Sequence, residues 1–355
     1  MRPESVRFLT TLLESPGPSG FETGPAGVWR TEARRFADRV VGDVSGNSYA
    51  HLDAKGSGPT VMFAGHIDEI GLMVVHIDDE GFLWFDPIGG WDEQVFVGQR
   101  VVLLTRGGPV RGVVGKRAIH LLEKEDRDKP SKAKDLWIDI GATSKAEAQE
   151  RVRVGDAGVL DCGIVELPHE RIVSRSLDNR IGAFVVLEAL RRLAADRPAV
   201  TVSAVATTQE EIAFSGGGAR TSAAGLEPGV AIVVDVTHAT DTPGVEKKRF
   251  GDVQLGGGPV LSRGSSVNPK VFDLLVETAE AEGLPYRLHA APRFTATDAD
   301  AIFTATRGIA TGLVSVPNRY MHSPNEMVAL DDLDRAAQLL AGFARRIAAD
   351  TDFRP

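Results

Sequence analysis

Hydrophobic and polar positions follow two different patterns along the chain, and the change of pattern divides the sequence into three zones. In residues 1–68, and again in residues 164–355, apolar residues at helical spacing alternate with short apolar runs that are typical of strands. In residues 69–163, short apolar stretches alternate with Gly, Pro and Asp turns, which indicates a small all-β unit. The simplest interpretation is one α/β domain, built from both ends of the chain, that a β domain interrupts.

The same patterns predict the individual elements of the outer zones. The clearest helix covers Asn179–Ala195, and Val230–Val234 is an uninterrupted apolar strand of the kind that is buried on both faces of a sheet. Further helices are predicted at Val6–Leu13, Ala26–Phe36, Pro269–Glu282 and Leu333–Ala348. Further strands are predicted at Val40–Val44, Ser48–Leu52, Thr60–Ala64, Val200–Ala206 and Leu313–Val316.

The insertion has its own set of predicted elements. A helix is expected around Ser144–Arg151, and a charged run extends from Lys116 to Lys134. Strands are predicted at Ile70–Ile77, Phe82–Phe85, Val95–Val97, Arg100–Thr105, Val110–Val114 and Leu136–Ile138. We interpret the charged run as a mobile solvated loop, with a lid or an inter-subunit arm as the alternatives.

Composition narrows the class of protein. The 355 residues carry 40 Lys and Arg against 49 Asp and Glu, a formal net charge of −9, and 43% of them are hydrophobic. These values are typical of a globular protein and exclude a disordered or fibrous one. The acidic balance argues against a nucleic-acid partner, because such binding needs clustered positive charge. The single cysteine, Cys162, excludes an intramolecular disulfide framework and an all-cysteine metal site.

The sequence also lacks the marks of a membrane or exported protein. No apolar run approaches the ~20 residues that a membrane-spanning helix needs. The N-terminus does not lead into the apolar core of a signal peptide. We therefore expect a soluble cytoplasmic protein with no membrane partner.

Acidic and imidazole side chains stand directly after several predicted strands, where open α/β sheets place their ligands. The positions are His66 and Asp68, Glu210 and Glu211, Asp235, and His322, with Asp178 at the N-cap position of the long helix. Each has an ordinary structural interpretation on its own, since a lone Asp before a helix is usually a cap. Two adjacent carboxylates between apolar segments are costly, however, unless cations neutralise them. The repeated placement at strand ends therefore favours a common site.

The residue types at this site point to metal chemistry. Two imidazoles with several carboxylates, and no cysteine, are a ligand set for borderline first-row metals such as zinc or cobalt. The number of acids favours two ions, because a bridging carboxylate can hold a metal pair ~3.5–4 Å apart that clamps a hydrolytic water. No His-Glu-x-x-His motif, Gly-x-Ser-x-Gly elbow or P-loop occurs in the sequence.

Other candidate residues receive a plainer interpretation. Arg293 and the Thr297-Asp298 pair fall in a loop that is expected to line a pocket, although the sequence alone does not place them. The remaining histidines, expected at the surface or in turns, are His51, His76, His120, His169, His238 and His289.

Several sequence blocks, taken together and in order, resemble the signature blocks of a known family. The blocks are Gly65–Gly71, Ser176–Arg180, Gln209–Glu211, Asp235–Thr237 and Arg319–Pro324. The family is M42, the tetrahedral metallo-aminopeptidases, some members of which are labelled endoglucanases or deblocking aminopeptidases. The resemblance implies an α/β fold in which a mixed sheet flanked by helices is interrupted by a small β-barrel-like insertion.

The resemblance also implies a role for each candidate residue. His66 and Asp235 would hold one metal ion, and Glu211 and His322 would hold the other. Asp178 would bridge the two ions, which would be Zn²⁺ or Co²⁺. Glu210 would be the general base, and Asp68 would hydrogen-bond the far nitrogen of His66 and so fix its orientation.

The expected partners are peptides with a free N-terminus and further copies of the chain itself. The resemblance implies that the insertion mediates dimerisation and that dimers assemble into a hollow tetrahedral dodecamer. Two departures from the family pattern bear on substrate preference. Ala213-Phe214-Ser215-Gly216 stands where relatives commonly have Gly-Leu-Arg-Gly, and Asn318 stands where Thr is frequent.

Other functions remain open at this point. A metal-dependent deacylase or amidase acting on N-acyl amino acids would use the same metal and water chemistry, but would recognise a free carboxylate in place of a free amine. A non-catalytic, metal-stabilised assembly protein would have no need of Glu210. An endoglucanase draws little support, because glycosidases generally use two metal-free carboxylates, which would leave the imidazoles without a purpose.

Overall fold

Strands from both ends of the chain form one mixed sheet in the computed structural model, which describes residues 1–54, 58–124, 127–212 and 216–355. The strands are β1 (Arg39–Gly42), β2 (Ser48–Leu52), β3 (Val61–His66), β4 (Gly71–Ile77), β5 (Leu83–Ile88), β6 (Arg100–Thr105), β7 (Gly108–Gly115), β8 (Trp137–Asp139), β9 (Ala157–Leu160), β10 (Val165–Leu167), β11 (Arg171–Ser174), β12 (Val202–Thr207), β13 (Val230–His238), β14 (Val260–Gly264), β15 (Arg287–Ala291), β16 (Ala310–Asn318) and β17 (Glu326–Ala329). The α-helices are α1 (Pro3–Glu14), α2 (Thr23–Ala33), α3 (Lys145–Arg151), α4 (Leu177–Ala195), α5 (Gly217–Leu226), α6 (Lys247–Phe250), α7 (Pro269–Ala281), α8 (Asp298–Phe303) and α9 (Leu330–Arg345).

The centre of the main sheet is parallel. The strands of this sheet follow the order β1-β2-β12-β3-β13-β16-β14-β15 in the described chain. Within it, β12, β3, β13 and β16 run in the same direction, while β2 and β14 pair antiparallel with this central group. The carboxyl ends of the central strands therefore meet at one edge, where open α/β sheets bind ligands. The predicted mixed sheet is confirmed.

Helices cover both faces of this sheet. Helices α1, α2, α4, α7 and α9 pack on one face, around a core that includes Trp29, Phe63 and Phe184. Helices α5 and α8 pack on the other face, around Met62 and Ile302. Met62 and Phe63 are adjacent on β3 and both are fully buried, because successive side chains of a strand point to opposite faces. Among the described residues, no helix is long and apolar enough to cross a bilayer.

The strands of the insertion form a separate closed barrel, as predicted. Its order in the described chain is β4-β5-β8-β7-β6-β9. The predicted strand at Val95–Val97 is wrong, because Glu93–Phe96 form a 3-10 helix. Asp92 caps this turn, since its Oδ1 accepts a hydrogen bond from the N–H of Gln94 at 3.1 Å. The turn buries Phe96 in the barrel core, so the apolar residues of this segment pack in the core although they form no strand.

A buried carboxylate links the start of the barrel to helix α4 and the segment before it. Glu69 lies just before β4, and its Oε1 accepts from Nη2 of Arg180 in α4 at 2.7 Å. The same carboxylate pairs with Arg175, which lies between β11 and α4. All three side chains are buried. The division of the chain at residues 69 and 163 stays a prediction.

The charged run from Lys116 to Lys134 contains two short 3-10 turns in its described part, at Ile119–Leu121 and Ala133–Asp135. Lys116 Nζ donates a hydrogen bond to Ser131 Oγ at 3.0 Å across the run. Residues 125 and 126 lie outside the described chain. The role of the run as a loop, a lid or an arm stays a prediction.

Candidate metal centre

Neighbouring strands deliver the candidate side chains to one edge of the main sheet. His66 ends β3 and is paired in register with Thr207, the last residue of β12. The Glu210-Glu211 pair, three residues beyond Thr207, therefore reaches the same edge as His66. Asp235 lies in the carboxyl-terminal half of β13, and His322 follows the end of β16. The side chains meet as their strand positions predict, while their roles stay predictions.

A glycine allows helix α4 to reach this edge. A Cβ atom at Gly65 would overlap the backbone of Gly182 in α4. Only glycine therefore permits α4 to pass so close to β3. This close approach brings Asp178, in the first turn of α4, against His66 at the end of β3.

Asp178 does not cap helix α4, so the expected N-cap position is wrong. The backbone of Asp178 and Asn179 is non-helical, and the peptide bond between them is cis. Asn179 takes the capping role, since its Oδ1 accepts a hydrogen bond from the N–H of Gly182 at 3.0 Å. The N–H of Asp178 donates instead to Glu326 Oε2 at 2.8 Å. The carboxylate of Asp178 is thereby left to face the two imidazoles.

The Asp178 carboxylate lies between His66 and His322. Its Oδ1 is 3.3 Å from Nε2 of His66, and its Oδ2 is 3.4 Å from Nε2 of His322. His66 Nε2 also lies 3.7 Å from Glu210 Oε2 and 3.9 Å from Asp235 Oδ1. His322 Nε2 lies 3.3 Å from Glu211 Oε2. Two clusters of donors therefore share one carboxylate.

These donors fit divalent cations. Two sets of three residues each place one ligand atom per residue within 4.8 Å of the others. One set is His66, Glu210 and Asp235, and the other is His66, Asp178 and Glu211. Imidazole nitrogen and carboxylate oxygen are donors that suit first-row metals. Among the described residues, Glu211 Oε1 is buried with no hydrogen-bond partner, a state that a bound cation would relieve.

Asp68 lies behind His66 and organises the Glu210-Glu211 turn. Its Oδ1 is 3.3 Å from Nδ1 of His66, the nitrogen that faces away from Asp178. The Asp68 carboxylate accepts hydrogen bonds from the N–H groups of Glu210 and Glu211, each at 3.2 Å, and from Ser19 Oγ at 2.6 Å. One side chain therefore anchors the backbone of the acidic pair and lies against the imidazole of His66.

Crowded carboxylates set the electrostatics of the centre. Among the protein groups alone, burial raises the pKa of Glu210 to about 10. The nearby charge of His66 lowers this pKa, whereas the negative charges of Asp235 and Asp298 raise it further. Hydrogen bonds with Asp178 and Glu211 raise the pKa of His322 to about 11. The centre therefore holds protons that cations would displace, because metal ligands must be deprotonated.

A cavity of about 860 Å³ opens in front of the centre. Thr297 and Asp298 line it together with His66 and Glu210, as expected, whereas Arg293 is not among the described residues that line it. Arg220 and His289 line the cavity as well. Sequence reasoning missed Glu326 altogether, although it lies only four residues beyond His322, and left Asp298 unplaced.

Two histidines depart from the expected surface or turn positions. His51 is buried in β2, where its Nδ1 lies 2.8 Å from Ser203 Oγ. His289 is part of strand β15 and lines the cavity. Alternation within a strand is too weak a signal in short segments to place single histidines.

Of the two departures from the family pattern, the structure describes Asn318 in full but not the segment 213–216. Residues 213–215 lie outside the described chain. Asn318 is buried at the end of β16, where its Oδ1 accepts from the N–H of Met327 at 3.3 Å. The asparagine therefore joins β16 to β17, whose first residue is Glu326, and supports the turn that carries His322.

Known proteins match this chain over most of its length. The sequence profile of a family described as M42 glutamyl aminopeptidase matches residues 46–339. The chain belongs to the M42 peptidase family. A lysyl aminopeptidase from Pyrococcus furiosus is 36% identical to it over 352 residues, which cover 98% of this chain and 99% of that protein.

Solved structures of related peptidases share the fold. A TET aminopeptidase from a marine-sediment Thaumarchaeota archaeon superposes with a TM-score of 0.91 at 34% identity, over 97% of this chain and 96% of that one. The TET1 peptidase of Pyrococcus horikoshii, which assembles into a tetrahedron or a large octahedral shell, gives a TM-score of 0.86 at 30% identity, over 97% and 100% of the two chains. This M42 peptidase is therefore an enzyme that hydrolyses peptides, and its family implies a divalent metal.

Proposed function

We propose that this M42 peptidase is a dinuclear metal-dependent aminopeptidase that removes N-terminal residues from peptides. The observation that carries the proposal is the position of Asp178, whose two carboxylate oxygens face His66 and His322 separately. A carboxylate shared in this way is suited to bridge two ions. His66 and Asp235 would complete one position, and Glu211 and His322 the other. The nitrogen and oxygen donors suit Zn²⁺ or Co²⁺.

The ions, when bound, lower the pKa of water and polarise a substrate carbonyl. Glu210 is the group that moves the proton. Its carboxylate lines the cavity, and 18% of the side chain is exposed. It accepts a proton from the attacking water and returns it to the amine that leaves as the peptide bond breaks. Asp68 fixes the orientation of His66 and of the Glu210 backbone throughout.

The runner-up within hydrolases is a deacylase or amidase acting on N-acyl amino acids. The decisive experiment compares initial rates on a panel of aminoacyl p-nitroanilides with rates on their N-acetylated forms, with zinc or cobalt restored to the chelator-treated protein. An aminopeptidase hydrolyses only the unblocked compounds. Preference for the acetylated compounds would support the deacylase, and inactivity on both sets of compounds, with or without added metal, would contradict both proposals.

We also infer that the protein self-associates through the barrel formed by β4 to β9, from a dimer up to a tetrahedral dodecamer. Support comes from the likeness to TET1 of Pyrococcus horikoshii, which forms closed shells. Light scattering of the purified protein distinguishes a monomer, a dimer and a dodecamer by mass. A cytoplasmic location stays a prediction.

A further inference from the structure

The proposed chemistry leaves two carboxylates of the cavity lining without a role, Asp298 and Asp300. Asp298 stands at the start of α8 and is 3% exposed. Its Oδ2 accepts a hydrogen bond from the Thr207 hydroxyl at 2.5 Å. Among the described residues, no Lys or Arg lies within ion-pair distance of it. A buried carboxylate in this state is costly unless a cation or further donors reach it.

Asp300, two residues further along α8, is a carboxylate whose hydrogen bonds are satisfied within the protein. It also lines the cavity, but it accepts hydrogen bonds from the N–H groups of Thr295 and Ala296 and from the hydroxyl of Ser266. These donors belong to the protein itself, so Asp300 stabilises the loop before α8. Within the described part of the chain, Asp298 accepts a hydrogen bond only from the Thr207 hydroxyl, which leaves its second oxygen for a ligand that enters the cavity.

Charge balance indicates what that ligand is. The two proposed ions would be neutralised by the ligand carboxylates Asp178, Glu211 and Asp235 together with Glu210. Asp298 remains as an extra negative charge beside Glu210 and Asp235, whose proton affinities it raises. A peptide N-terminus has a pKa of about 7.7–8.0 and so carries one positive charge at neutral pH. This group is one carbon away from the scissile carbonyl in every substrate, whereas side-chain amines lie at variable distances.

We propose that Asp298 receives the α-ammonium group of the substrate and thereby restricts cleavage to the first peptide bond. This inference rests on the proposed function. The ammonium would donate a charge-assisted hydrogen bond to the free oxygen of Asp298, while Thr207 holds the other oxygen in place. An N-acylated substrate cannot form this contact and would leave the carboxylate buried and unpaired.

The test compares two ligands that differ only in the amine, leucine hydroxamic acid and 4-methylpentanoyl hydroxamic acid. Their dissociation constants are measured by calorimetry on the metal-loaded protein. The wild type is expected to prefer the amine-bearing ligand, and Asp298→Asn is expected to lose about 10- to 100-fold of that preference, as for a charged hydrogen bond. The loss should come from the amine-bearing ligand alone, with metal content unchanged. Asp300→Asn is the matched control and should keep the wild-type preference.

An unchanged preference in Asp298→Asn, or equal weakening of both ligands, would overturn the inference. If the asparagine variant does not fold, Asp298→Ser is measured in the same way and with the same expectation. The two proposals fail separately. A wild type that hydrolyses no aminoacyl p-nitroanilide contradicts the aminopeptidase, whereas an active wild type whose Asp298 variants keep the preference contradicts only the role of Asp298.

Discussion

The N–H of Asp178 donates a hydrogen bond to Oε2 of Glu326 at 2.8 Å, across 148 residues of sequence. The other oxygen of Glu326 accepts from the N–H of His322 at 3.0 Å. One buried carboxylate therefore fixes the backbone of the proposed bridging ligand and of the proposed ligand at the second ion. The spacing of the two ligands is set by Glu326 rather than by either residue's own element.

This relationship predicts the effect of Glu326→Gln. The amide keeps the volume but has a single acceptor oxygen, so one of the two N–H groups would face an NH₂ donor. We expect affinity for Zn²⁺ to fall about 10- to 100-fold, as for other residues that support metal ligands. Titration of the metal-free protein by calorimetry measures this directly.

A matched control for that variant lies elsewhere in the fold. Asp332 is fully buried and accepts from the N–H groups of Gly256 and Gly258 at 2.7 and 2.8 Å. Asp332→Asn should lose a similar free energy of unfolding, ~1–3 kcal/mol, but keep its metal affinity. Equal metal affinities in the two variants would contradict a positioning role for Glu326.

Glu210→Gln separates proton transfer from metal binding. The amide cannot accept a proton from water, so kcat should fall by about 10²- to 10⁴-fold. Metal content, measured by elemental analysis, should stay at the wild-type level because Glu210 is assigned no ion. Loss of metal would instead make Glu210 a ligand, which its grouping with His66 and Asp235 would permit.

Much of this centre could be predicted from the sequence because it depends on sheet geometry. The apolar run Val230–Val234 predicts a buried strand, and Asp235 follows it directly. His66 and Glu210 likewise follow apolar strands, and parallel neighbours bring such positions to one edge. Periodicity therefore suffices to place together residues that lie far apart in the sequence.

The contacts that decide the details could not be predicted in this way. Asp178 and Asn179 are equally good capping residues, so no local rule tells which one caps α4. In the structure Asn179 caps the helix, and the N–H of Asp178 donates to Glu326, 148 residues away. Asp298 likewise meets Thr207 across 91 residues. Neither pair has a periodicity or a motif that links its members.

Asp178→Ala tests whether the two ions share a ligand. Because its oxygens face both imidazoles, its removal should empty both positions together and abolish activity. Asp235 lies 3.9 Å from Nε2 of His66, so Asp235→Ala should reduce the ion at that position and spare the other. Elemental analysis after dialysis against a weak chelator gives the metal-to-protein ratio. Similar ratios in the two variants would contradict a bridging role.

His51 offers a prediction that is independent of the metals. Burial lowers its pKa to about 4, with Arg39 adding to the shift. The folded protein therefore keeps His51 neutral at pH values where the unfolded chain, with a pKa near 6.5, takes up a proton. The contribution of His51 to stability is thus complete above pH ~6.5 and is lost as the pH falls toward ~4.

The expected loss is about 3 kcal/mol over that range, from 1.36 kcal/mol per pKa unit. In His51→Gln this component disappears, because glutamine does not titrate. Urea unfolding of both proteins at several pH values between 7.5 and 4.5, in the presence of a chelator, isolates the difference and cancels the titration of all other groups. The wild type should lose stability faster than the variant as the pH falls. Parallel curves would show that His51 takes up its proton equally in the folded and unfolded states.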